Sequence, residues 1–214
     1  MKIIAFSLWG DNPIYTEGAI KNADLASNYF PEWICRYYIG RSVPPTVVKT
    51  LEEKTNCQVI KMEEEGDWTG MFWRFYPGGE DDVDIMISRD CDSRLSYREM
   101  LAVNEWVESD SAFHIMRDHP YHTAPILGGM WGCKKGILIN IKDHIQKYVK
   151  GDFWQVDQDF LKEIIYPIVQ GNSLVHDEFF EKKPFPSPRS QRYFVGQAFD
   201  EYDRPIHPEH MSFF

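Results

Sequence analysis

The stretch VDIMISRDCDSRL, Val83 to Leu95, decides how the rest of the chain is read. Its first half is a short apolar run of the kind that forms a buried strand; its second half sets Asp90 and Asp92 on either side of Cys91. Residues two apart face one side of an extended strand, and a turn at the strand end would fan them around one point, so the two charges converge either way. Carboxylates that close repel unless a proton or a cation relieves them. A hard divalent ion such as Mg²⁺ or Mn²⁺ accepts carboxylate oxygens and keeps positions open for phosphate oxygens. D-x-D by itself occurs by chance in exposed loops. What favours a ligand here is the position directly after a buried strand, where an acidic pair packs poorly.

Working outward, Lys2–Leu8 reads as a first strand closing into the W-G-D-N-P loop, followed by a helix over Tyr15–Tyr29 that Pro31 stops. Trp33–Ile39 is a second strand, Thr46–Thr55 a helix opened by Pro44-Pro45, and Cys57–Met62 a third strand. The aromatic segment Trp68–Tyr76, W-T-G-M-F-W-R-F-Y, reads as a core helix with Arg74 its unusual member. Val83–Ser88 is then the fourth strand, Ser96–Ser109 a helix with apolar Met100, Leu101, Val103, Trp106 and Val107, and Ala112–Met116 a fifth strand. Strands alternating with helices predict one α/β domain over residues 1–214, with a mostly parallel central sheet flanked by helices. Ligands of such sheets bind beyond the carboxyl ends of the strands, where both the W-G-D-N loop and the D-x-D loop fall.

Composition narrows the function. A formal charge of −10 argues against a protein that grips nucleic acid, because phosphate neutralisation needs clustered Lys and Arg. The N-terminal apolar run is too short for a signal peptide, and no segment approaches the roughly 18–20 apolar residues of a membrane-spanning helix. Cys35, Cys57, Cys91 and Cys133 lack the pairing of a zinc site and the density of a disulfide scaffold, so free thiols and a cytoplasmic location are expected.

The segment S-R-D-C-D-S-R after its strand resembles the D-x-D signature of GT-A glycosyltransferases, whose single Rossmann-like domain binds a nucleotide-diphospho-sugar. Four further segments, in the same order along the chain, are similar to that group. They are M-F-W-R-F-Y with Arg74, A-P-I-L-G-G-M-W-G-C-K over Ala124–Lys134, W-Q-V-D-Q-D-F-L over Trp154–Leu161, and L-V-H-D-E-F-F-E-K-K-P-F over Leu174–Phe185. The third of these resembles the D-Q-D-x-L element of glycogenin-like and retaining galactosyltransferases, and the opening F-S-L-W-G resembles small bacterial and viral-type members. The resemblance implies a metal-dependent transferase moving a sugar, from a UDP-sugar by expectation, to a hydroxyl of a glycan or another acceptor. A noncatalytic nucleotide- or carbohydrate-binding module of the same fold is the alternative. A sugar nucleotidyltransferase fits less well, since the glycine-rich basic loop it needs after the first strand is missing from F-S-L-W-G-D-N-P.

Carried over residue by residue, the resemblance implies Asp90, Asp92 and His176 as ligands of Mn²⁺ or Mg²⁺, with Asp90 also near the ribose. His176 read alone is an ordinary strand histidine; His114, His119 and His122 are alternative ligands or line a loop. Asp157 and Asp159 open a helix, where the dipole favours carboxylates with no function. One of them could instead orient the acceptor or act as its general base, with Asp157 the first choice for sugar or acceptor contact and Asp159 next, and the resemblance to retaining enzymes implies Gln158 beside the anomeric carbon. Arg74, Lys182, Lys183 and Arg189 are candidates to stabilise the diphosphate leaving group, and the resemblance singles out Lys183, although K-P-F stands where K-P-W is more usual. Phe6 and Trp9 could stack on the base, and an aromatic at the end of the first strand is equally at home in the core. Phe185–Phe214 carries no readable pattern.

Overall fold

The computed structural model describes residues 1–148 and 150–214. The first half of the chain alternates as its apolar periodicity predicts. Strand β1 (Lys2–Leu8) is followed by α1 (Pro13–Tyr29), β2 (Ile34–Ile39), α2 (Pro45–Glu52), β3 (Cys57–Lys61), β4 (Ile85–Ser88), α3 (Tyr97–Glu108) and β5 (Phe113–Arg117). Local chemistry sets the boundaries. Asn12 caps α1 by accepting from the Ile14 amide at 3.0 Å, with Pro13 in the first turn, and Ser96 caps α3 by accepting from the Glu99 amide at 3.2 Å.

Seven strands form one sheet in the order β3-β2-β1-β4-β6-β5-β7, where β6 is Trp131–Lys134 and β7 is Ser173–Asp177. Among the described strands, only β6 runs antiparallel to its neighbours. This sets part of the segment that resembles a glycine-rich substrate loop inside the sheet, and leaves only its first half, through Met130, in the loop. Both faces of the sheet are covered, as a parallel sheet requires. Along β1, Ile4, Phe6 and Leu8 face the layer of α1, α2 and α3, while Ile3 and Ala5 face Phe75, Trp131 and Phe160 on the other side.

The aromatic segment departs from expectation. Trp68–Gly79 is a chain of tight 3₁₀ turns and not an α-helix, capped by Asp67 and interrupted by Pro77. Gly70, Pro77, Gly78 and Gly79 each weigh against regular helix, and the rings of Phe72 and Phe75 hold the turns by packing edge-on to each other. The segment after Trp154 is also irregular: α4 (Ile141–Lys147) and the short α5 (Val156–Phe160) lead to a π-turn over Leu161–Ile165 and then to α6 (Tyr166–Val169). Pro167 lacks the amide that would continue a regular hydrogen-bond ladder there.

The chain crosses from β1 to β2 on one side and returns from β3 to β4 on the other, so the loops leaving β1 and β4 diverge. That divergence opens a crevice at the carboxyl ends of two adjacent central strands. Among the described residues, no helix is long and apolar enough to cross a membrane.

Candidate functional site

The crevice is a cavity of about 510 Å³. Its walls come from the loop after β1 (Trp9 to Asn12), from Trp68, Met71 and Arg74 of the 3₁₀ segment, and from the Asp90-Cys91-Asp92 turn. Tyr15, His122, Leu127 to Met130, Trp154, Gln155, Asp157, Gln158, Gly196 and Ala198 also line it.

The D-x-D turn is held from several directions before any ligand arrives. Asn22, fully buried in α1, donates from Nδ2 to the carbonyls of Cys91 (3.3 Å) and Ser93 (2.8 Å) and accepts from the Leu95 amide (3.0 Å). Ser93 Oγ donates to the Asp90 carbonyl at 2.9 Å, and the Phe199 amide donates to the Asp92 carbonyl at 2.8 Å. Satisfying the turn's backbone in this way leaves the two carboxylates free to face the cavity.

Arg74 is the hub of the floor. It is 5% exposed; its Nη1 pairs with Asp90, and its Nη2 donates to Asp157 Oδ2 at 2.8 Å. Burial pulls its basicity down most strongly, but Asp90 and Asp157 together override that and raise it, so the guanidinium stays charged. Gly128 and Gly129 pass over this pair because nothing larger fits. A Cβ on Gly128 would lie 2.5 Å from Arg74 Nη2 and from Asp157 Oδ2, and one on Gly129 would collide with the Asp90 carboxylate. Gly129→Ala is therefore expected to displace the Asp90 carboxylate and, if the acidic pair holds a divalent ion, to lower the affinity for Mn²⁺ at least tenfold in a calorimetric titration, with the circular dichroism of the fold unchanged.

The charge balance of the walls is one-sided. Asp11, Asp90, Asp92 and Asp157 line the cavity against one guanidinium, Arg74, among the described residues. His122 adds no charge: its Nδ1 accepts from the Asp118 amide at 3.0 Å, and burial, reinforced by His119, drives its pKa down to about 3. Asp92 is pushed up to about 7, first by burial and then by the charge of Asp90. A carboxylate pair with such a burden, and no cation to spare, fits a hard divalent ion through its oxygen donors.

The sign of the Asp92 shift gives a stability prediction. Its folded-state pKa lies above the unfolded value, so the metal-free native state binds the extra proton and loses stability as pH rises from about 4 to 7. Asp92→Asn removes this term. In urea titrations with a chelator present, the variant should gain on the native chain between pH 5 and pH 7.5, by at most about 1.4 kcal/mol per pH unit. A constant difference across that range would contradict the shift.

Several residues expected at the site do gather there. Trp9, Arg74, Asp90, Asp92, Asp157 and Gln158 all line the cavity, whereas Asp159 does not. Asp157 is 2% exposed, and both its oxygens are engaged, one by Arg74 and the other by the amide of Gln158 at 2.9 Å. That geometry suits a positioning role and leaves little reach for a general base.

Others are placed elsewhere. Phe6 is fully buried in β1, stacked on Tyr37 with ring centroids 4.8 Å apart, which makes it core. His176 sits in β7, at the far edge of the sheet from β3 and three strands from β4. Its Nδ1 is 2.8 Å from His114 Nε2 and its Nε2 is 3.5 Å from Glu105 Oε2, so its ring is committed beside α3 and is not brought to Asp90 and Asp92. Lys183 pairs with Glu181 at 2.7 Å on a small bridge to Asp177, and Arg189 pairs with Glu178 and Asp118; neither lines the cavity, nor does Lys182.

Sequence reasoning missed the exposed Trp68 and Trp154 at the rim, and the Gly196–Ala198 strip beside Asp92. The rim tryptophans carry a usable signal, since large rings with no core partner stand beside a polar loop. The strip carries none, being placed by backbone hydrogen bonds.

No family model matches the chain, and no curated protein matches it by sequence. Solved structures do match. A glycosyltransferase involved in the glycosylation of the major capsid of PBCV-1 superimposes with a TM-score of 0.55 at 14% identity, over 83% of this chain and 81% of that one. The fold is that of the GT-A glycosyltransferases. The mannosyltransferase PcManGT from Pyrobaculum calidifontis, in complex with GDP-Man and Mn²⁺, shares it with a TM-score of 0.54 at 12% identity, over 85% of this chain but 58% of that one. The galactosyltransferase LgtC, in complex with donor and acceptor sugar analogs, shares it at 0.51 and 14%, over 83% and 74%. In this fold the crevice at β1 and β4, which here carries the D-x-D turn, is where the topology opens a ligand site.

Proposed function

We propose that the chain is a metal-dependent glycosyltransferase that takes its sugar from a nucleotide-diphosphate donor, a UDP-sugar by first expectation, and passes it to a hydroxyl of a glycan or another acceptor. The observation that carries this reading is the wall of the cavity, with four carboxylates against one guanidinium that is already shared between Asp90 and Asp157. Such a wall repels a diphosphate unless a cation intervenes, and Asp90 and Asp92 are the residues that would hold it. Bound there, Mn²⁺ or Mg²⁺ would supply Lewis-acid neutralisation of the phosphate oxygens as the leaving group's charge grows.

The chain's own residues supply the remainder. Arg74 pairs with both Asp90 and Asp157, so the carboxylates are oriented before the donor binds. Gly128 and Gly129 let the backbone approach this floor closely. Trp9, held edge-on to Trp73 with centroids 6.2 Å apart, offers an aromatic wall for a base beside the loop after β1. Gln158 lines the cavity next to Asp157 and is assigned to the transferred sugar. His176, Lys183 and Asp159 have no part in this reading, because their side chains are spent elsewhere or do not line the cavity.

A noncatalytic binding module would share the site but not turn over its donor. Incubating the chain with a panel of UDP-, GDP-, CDP- and dTDP-sugars and Mn²⁺, and following nucleotide diphosphate release by mass spectrometry, separates the two. Slow, chelator-sensitive release of one nucleotide is expected. Tight binding with no release from any donor, even with a mixture of glycan acceptors, would make the chain a binding module.

A further inference from the structure

The C-terminal segment carries a second constellation with no connection to the cavity's carboxylates. Glu209 and His210 fall on a 3₁₀ turn that begins at Pro208, His207 caps it, and one donor atom from each of the three lies within 4.8 Å of the others. Glu209 Oε1 is 3.2 Å from His207 Nδ1 and 3.9 Å from His210 Nε2. The two imidazoles stand nearly parallel, 24° apart in plane with centroids at 4.9 Å. One carboxylate oxygen thus sits between two ring nitrogens, close enough to one for a hydrogen bond and too far from the other. A cation drawn to all three satisfies what a single proton cannot.

The turn is also held in place. The His210 amide donates to the His207 carbonyl at 3.1 Å, the His210 carbonyl accepts from His119 Nε2 at 3.1 Å, and Ser212 Oγ donates to the Glu209 carbonyl at 2.6 Å. The His210 ring packs against His119 and Tyr121, each at 5.1 Å. With the backbone of the turn and the His210 ring already fixed, less freedom is lost when an ion binds. The outer faces of His207 and Glu209 remain open to solvent, with side chains 57% and 68% exposed.

We propose that His207, Glu209 and His210 form a binding site for a borderline transition ion, Zn²⁺ or Ni²⁺, with water in the remaining positions. Two imidazoles and one carboxylate are a donor set that suits these ions, whereas the all-oxygen pair at Asp90 and Asp92 suits Mn²⁺ or Mg²⁺. All three ligands come from the C-terminal segment, whose His210 carbonyl already accepts from His119 Nε2 at 3.1 Å, so the ion would stiffen a turn that the fold holds against His119. The proposal does not depend on what the cavity binds.

The test is a calorimetric titration of the chelator-stripped full chain with ZnCl₂, on the native protein and on His207→Ala, Glu209→Gln and Asp92→Asn, each followed by a thermal melt. The native chain should show one equivalent of Zn²⁺ binding that persists in Asp92→Asn and is at least tenfold weaker in His207→Ala and in Glu209→Gln. Zn²⁺ should raise the melting temperature of the native chain and not that of His207→Ala. Matching melts of native chain and variants without metal would show that the fold is intact. The proposal is overturned if the native chain binds no Zn²⁺, if His207→Ala and Glu209→Gln bind as the native chain does, or if binding disappears with Asp92→Asn.

Discussion

Arg74→Met is expected to destabilise the chain by about 3–5 kcal/mol, the usual cost of removing one partner from a buried ion pair. The guanidinium is nearly inaccessible and serves two carboxylates, of which Asp157 is itself 2% exposed. Without it, Asp157 must stay ionised in a low-dielectric pocket or take up a proton, and burial already raises its pKa. The loss should therefore be greater at pH 7.5 than at pH 5, where protonation offers a way out. A second substitution, Asp157→Leu, should recover much of the stability by removing the stranded charge, as replacement of a whole buried pair by apolar groups often does. Urea unfolding of the single and double variants measures this. A loss under about 1 kcal/mol for Arg74→Met would mean that the pair is not desolvated as the structure has it.

Asp92→Ala carries the other large effect. With one of its two oxygen-donor side chains gone, the site should lose Mn²⁺ affinity by 100-fold or more, about 2.7 kcal/mol, and metal-dependent nucleotide binding with it. Stability should move the opposite way, because Asp92 is a group whose ionisation the metal-free fold resists. A variant more stable in chelator and incapable of holding Mn²⁺ has the signature of a functional carboxylate, since a structural one would lose stability on removal.

The fold was legible where burial imposes a period. β1 through β4 and their helices follow from apolar runs punctuated by Pro and Gly, and the crevice follows from the order of those strands. The D-x-D was legible for the same reason, because an acidic pair at the end of a buried strand has few structural uses. The 3₁₀ segment was harder: Trp68–Gly79 has a helix's apolar density, and only its glycines and proline reveal that tight turns replace the helix. His176 shows a limit of another kind. A histidine in a strand near the chain's end fits a ligand and a core residue equally, and the choice depends on which partner reaches it first in space, here His114 at 2.8 Å. Lys183 and Arg189 fail for other reasons: Lys183 is taken up by Glu181 two residues before it, and Arg189 by Glu178 and by Asp118, which comes from a distant part of the sequence. The last thirty residues had no period to read because hydrogen bonds and aromatic contacts hold them, such as the His119 ring among Phe194, Phe213 and Phe214.

The central claim is that this carboxylate-rich cavity accepts a nucleoside diphosphate only when a divalent cation stands between them. It is tested most directly by calorimetric titration of the native chain with UDP, GDP, CDP and dTDP, each in Mn²⁺ and again in chelator. The account predicts that one of the four, UDP by first expectation, binds in Mn²⁺ and that its binding vanishes in chelator. Equal binding with and without the metal, or no binding of any of the four in Mn²⁺, would contradict it.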